Sequence, residues 1–102
     1  MTIIEINAKD IEVKGHSGYA PIGSDIVCAA ISTLVQATYN YLEATGNDVE
    51  VESLDGYMKI IFKSELNRPG DEIVNSFIDM AKDLEGQYKE YIKVEGDIIW
   101  KY

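Results

Sequence analysis

Much that would advertise a function is scarce in this sequence. It holds one cysteine and one histidine in 102 residues. No internal disulfide can form, and a reducing cytoplasm is the expected compartment. A protein-only zinc site, which usually takes three or four such ligands, is disfavoured, and no cofactor is expected. Lysine and arginine together number 9 against 18 acidic residues, a net charge of -9. That balance argues against direct nucleic-acid binding and against anionic membrane surfaces, both of which need basic side chains. It suits a basic peptide partner. No run approaches the roughly 18 apolar residues of a membrane span. The opening Met1-Thr2-Ile3-Ile4-Glu5 has neither the basic start nor the apolar stretch of a secretion signal.

What is present suffices for one core. Hydrophobic residues make up 46% of the chain, and its length matches one domain over 1–102. Residues 2–7 and 11–15 read as two short strands around an Asn7-Ala8-Lys9-Asp10 turn. Ser24 or Asp25 can cap a helix whose stripe runs through Val27, Ile31, Leu34, Val35, Thr38, Tyr41 and Leu42. Its first turns are apolar all round, which predicts a buried start. Gly46-Asn47 ends it. Val49 to Glu52 and Tyr57 to Lys63 alternate around Asp55-Gly56, a strong hairpin signal. Asn67-Arg68-Pro69 opens a second helix with Ile73, Phe77, Met80, Ala81, Leu84, Tyr88 and Tyr91 as its predicted stripe. Ile92 to Glu95 is a candidate final strand, before an apolar Ile98-Ile99-Trp100 tail. The expected class is α+β: two layers, a mostly antiparallel sheet with both helices on one face, in the order β-β-α-β-β-α with room for a last β.

The chemistry-bearing residues are His16, at a strand end, and Cys28, near a helix start. With Asp25 as cap, Cys28 is the third helical residue. Unpaired N–H groups and the helix dipole there favour a thiolate, and the same N–H groups could hold an oxyanion. A nearby imidazole would lower the thiol pKa further and could protonate a leaving amine. Cysteine is also a common buried small hydrophobe, so the residue types alone leave both readings open. Asp25 could orient His16 or simply cap the helix. Ser32, one turn beyond Cys28 on the same face, could support the thiol or bond back to a helix carbonyl. Between His16 and the helix, Gly18, Tyr19, Pro21, Ile22 and Gly23 form an aperiodic loop. Its Tyr19, Pro21 and Ile22 either meet a peptide or pack on the domain edge.

The wording around these residues is specific. Gly15-His16, a glycine-containing loop, and Gly23-Ser24-Asp25-Ile26-Val27-Cys28-Ala29-Ala30-Ile31-Ser32 resemble the Gly-His pair and the Gly-x-Asp-Ile-Val-Cys-Ala-x-x-Ser block of the ribosomal-processing cysteine protease (Prp) family. The likeness spans nearly the whole chain. It implies a cysteine endopeptidase with a dyad at His16 and Cys28, a flexible loop mapping onto 17–24, and a homodimer. The implied substrate is the N-terminal extension of large-subunit ribosomal protein 27; phage-associated members are linked instead to virion proteins. Ala20-Pro21-Ile22 and the 98–100 tail depart from the family pattern and bear on substrate preference. The competing expectation is a non-enzymatic peptide-binding or assembly module in which Cys28 is a core residue.

Overall fold

A computed structural model describes residues 1–21 and 25–96; the 98–100 tail lies outside the described residues. Seven elements follow in order: β1 (Thr2–Ile6), β2 (Asp10–Lys14), α1 (Ile26–Ala44), β3 (Val49–Leu54), β4 (Tyr57–Phe62), α2 (Arg68–Gln87) and β5 (Ile92–Glu95). The final strand forms and completes a five-stranded sheet ordered β3-β4-β2-β1-β5. Every pairing is antiparallel except β1 with β5, which is parallel. The α+β layout expected from the sequence is the one observed.

The alternation in the strands decides which face is covered. Ile4 pairs with Val13, Ile6 with Ile11, and Ile11 with Ile60, so these side chains share one face and are buried. Both helices lay their apolar stripes on it: Val27, Ile31, Val35, Thr38 and Leu42 from α1, and Gly70, Val74, Phe77, Ile78 and Ala81 from α2. The opposite face is polar, with Lys14 held between Glu5 at 3.1 Å and Glu12 at 3.2 Å.

Turns and caps are made by the residues the pattern suggested. Asn7 Oδ1 accepts the N–H groups of Lys9 and Asp10, which folds the β1–β2 turn on itself. Asn67 caps α2 by accepting the Gly70 N–H at 2.8 Å. Asn47, just past α1, bonds Asn67 twice at 2.9 Å and so ties the end of one helix to the start of the other.

Three helix positions correct the sequence-based stripes. Tyr41 is 65%, Met80 48% and Ile26 57% exposed. At 100° per residue, Tyr41 stands about 80° from the centre of the buried stripe of α1, and Met80 about 110° from that of α2. Ile26, the first helical residue, projects beyond the covered face, so the start of α1 is not buried all round. α2 ends at Gln87, and Tyr88 and Tyr91 pack on the core from beyond it. Among the described residues no helix is long and apolar enough to cross a membrane.

Candidate active site

Two chain turns bring β2 and α1 together. Gly15 leaves β2 at φ 88°, in the left-handed region open to glycine, and its N–H donates to the Gly56 carbonyl at 2.8 Å. His16 is thereby carried against the β3–β4 turn. Its Nε2 lies 3.7 Å from Asp55 Oδ1, an exposed partner that contributes little to stability. The imidazole rests on Gly56, where an added methyl would sit 3.1 Å from Nε2. Gly56 (φ 69°) serves both the tight turn and the ring.

Cys28 is the third residue of α1, as the capping pattern predicts. Asp25 is the cap: its Oδ1 accepts the Val27 and Cys28 N–H groups, each at 3.0 Å. This corrects the expectation that those N–H groups are free for an oxyanion, because the carboxylate already occupies them. The other carboxylate oxygen takes the Ser17 hydroxyl. Ser17 is buried, and its own N–H donates to Cys28 Sγ at 3.3 Å. One residue after His16 therefore links the strand end, the helix cap and the sulfur.

Burial opposes the charge on Asp25, but the bonds from Ser17, Cys28 and Val27 outweigh it and hold its pKa at about 2, below the usual 3.8. A lowered carboxyl pKa adds stability above the unfolded value. That contribution is lost as pH falls from about 4 through about 2. Accordingly, the stability advantage of the wild type over Asp25→Asn, read by denaturant melts, is expected to be constant above pH 5 and to shrink between pH 4 and pH 2. An advantage that is flat across that window would refute the charged cap.

His16 and Cys28 line one groove of about 620 Å³, together with Asp25, Ser32, Gly18 and Pro21. Ser32 presents its exposed side there. Tyr19 does not line it: its ring meets Tyr88 and Tyr91 edge-on, with centroids at 5.7 and 5.3 Å. The ring thus packs on the domain edge and is still 42% exposed. Ile22 and Gly23 lie outside the described residues. The far wall of the groove is the hairpin segment Ser53 to Gly56, which sequence reasoning treated as a turn and nothing more. Ser17 was also missed. A serine beside a histidine carries no spacing signal, and its role comes from the approach of α1.

Fold and groove define a class: a small two-layer α+β protein in which the one histidine and the one cysteine share a cleft. The chain belongs to the cysteine protease Prp family, whose model matches residues 1–93. Its fold is similar to that of an essential ribosomal processing protease from S. aureus in complex with a covalently linked product peptide. The identity is 21% over 95% of this chain and 100% of that one, at a TM-score of 0.87. The same S. aureus protease with a substrate peptide matches at 18% identity over 95% and 100%, with a TM-score of 0.75. A protein from Streptococcus mutans matches at 25% identity over 93% of this chain and 90% of its own, with a TM-score of 0.72. Comparison with curated proteins gives no match.

Proposed function

We propose that this chain is a cysteine endopeptidase that removes the N-terminal extension of large-subunit ribosomal protein 27, with Cys28 as nucleophile and His16 as base and acid. The observation that carries the reading is the shared groove: both side chains line it, within the residues that match the family. His16 takes the thiol proton, and Sγ attacks the scissile carbonyl. The imidazolium then protonates the leaving amine, which departs as the C–N bond breaks and leaves a thioester on Cys28. Water, deprotonated by His16, hydrolyses the thioester and restores the thiol. The covalently linked product peptide of the S. aureus protease supports such an acyl-enzyme.

With the Val27 and Cys28 N–H groups bound to Asp25, the backbone donor seen at the sulfur is Ser17. Asp25 acts in this reading by holding the helix start and Ser17 in place, while His16 faces the hairpin. A ribosomal protein is made in the cytoplasm, which is where this activity would be exercised.

The test incubates the protein with an N-terminally extended form of the ribosomal protein and reads the new N-terminus by mass spectrometry. One cut, absent in Cys28→Ala, is expected. Binding without cleavage, unchanged in Cys28→Ala, would replace this reading with that of a peptide-binding module.

A further inference from the structure

The two edges of the sheet are treated differently. β5 is short, four residues, and its Val94 N–H is taken by Glu85 Oε2 at 2.7 Å, so α2 covers part of that edge. β3, at the other edge, is six residues long and exposed over nearly its whole length. Leu54 and Tyr57 flank the two-residue turn and form a hydrogen-bonded pair, and the pairs alternate from there. The Lys63 N–H, which donates to the Asp48 carbonyl at 2.9 Å, keeps that phase, and the Phe62 N–H turns away to Lys9. It follows that the N–H and C=O groups of Val49, Val51 and Ser53 point outward from the sheet. Among the described residues nothing is seen bonded to them.

We propose that the β3 edge receives an extended, basic segment of the peptide substrate as an added strand. Continuity supports this: Ser53 and Leu54 belong both to β3 and to the wall of the groove that holds Cys28. Charge selects the occupant. Glu50 and Glu52 alternate along the strand, and Asp55 follows at the turn. Glu50 meets Lys63 at 3.4 Å, whereas no ion pair is seen at Glu52 among the described residues. A second copy of β3 would set these carboxylates against one another, which destabilises a cross-strand pair. A chain with lysine or arginine opposite Glu50 and Glu52 gains instead. Between them Val51, 40% exposed on the other face, favours an apolar partner. The recognised segment is therefore basic and apolar by turns, read by main-chain bonds for affinity and by alternate side chains for specificity. This rests on the endopeptidase reading and names the chemistry of its substrate.

The experiment uses two peptides with the same cut site, one flanked by alternating Lys and Val and its counterpart with Gln for each Lys. The wild type is expected to favour the Lys peptide by about tenfold in kcat/KM, through KM, with the preference fading in high salt. In Glu50→Gln/Glu52→Gln the preference should fall to near unity. Val51→Pro deletes one outward N–H without touching the ladder to β4, and should raise KM for both peptides. Thermal melting reports whether each variant folds, and the Gln double variant carries the test if the proline variant does not. No Lys preference in the wild type, or one that survives in the double variant, overturns the proposal. So does a dimer in light scattering that Val51→Pro dissolves, since a second copy would then hold the edge. Fluorescence anisotropy with Cys28→Ala separates the two readings. Lys-selective binding without any wild-type cleavage sinks the endopeptidase and keeps the edge; cleavage without Lys selectivity does the reverse.

Discussion

Cys28→Ala is expected to abolish peptide cleavage, and His16→Ala to reduce it by at least about a hundredfold, the usual range for loss of a general base. The two losses should not add. Without the sulfur there is no thioester to form, so the double variant should match Cys28→Ala. The thiol itself offers a readout that needs no substrate. In the wild type, iodoacetamide should alkylate Cys28 quickly at neutral pH, since the sulfur lines an open groove and accepts the Ser17 N–H at 3.3 Å. Labelling in His16→Ala should slow by about tenfold or more, as expected when a base that lines the same groove is removed. Equal and slow labelling of wild type and variant would show an unactivated thiol and remove the basis of the mechanism.

Gly15→Ala is expected to be the most damaging small change near the site, costing on the order of 3 kcal/mol or more. Two penalties coincide there. The backbone is at φ 88°, and a methyl would sit 2.6 Å from the Met1 carbonyl oxygen, a main-chain atom that cannot swing aside. Gly18 supplies the control. Its φ is 75° and nothing lies within 4 Å of the position a methyl would take. Gly18→Ala should thus cost only the conformational part, roughly 1–2 kcal/mol. Equal melting-temperature losses in the two variants would show that the contact with Met1 is relieved at no cost. Gly15→Ala should also lose activity beyond its loss of stability, because the Gly15 N–H to Gly56 bond sets where His16 emerges.

Most of the fold could be read locally because it is built from local rules. β-Branched content marked β1, period-two alternation marked β2 to β4, Asp55-Gly56 marked the hairpin, and Asn67-Arg68-Pro69 marked the start of α2. Tyr41 and Met80 were misjudged because an apolar stripe read from sequence is wider than the strip of helix the sheet covers. That width is set by where the other helix lies, which no local window contains. In the groove, His16 and Cys28 could be picked out as the sole members of their residue types, and the block around Cys28 resembled a known family.

The start of α1 is capped by the residue its sequence points to, and the cap has a consequence that residue order does not carry. Asp25 consumes the donors that a capped helix start was expected to leave free. Whether a side chain at that position bonds inward to the helix or outward to a histidine depends on what the neighbouring strand end presents. Here that strand end presents Ser17.

From residue order alone came the class of fold, the two candidate site residues and the family, since each follows from short-range periodicity or contiguous residues. The tertiary structure decided which hairpin faces Cys28, what holds Asp25, where Tyr19 goes and which sheet edge stays open. Those depend on the strand order β3-β4-β2-β1-β5. Strand order is settled by packing both helices on one face and closing a parallel β5 onto β1, contacts between residues some ninety positions apart in the chain, Thr2 with Ile92, that leave no local mark in the sequence.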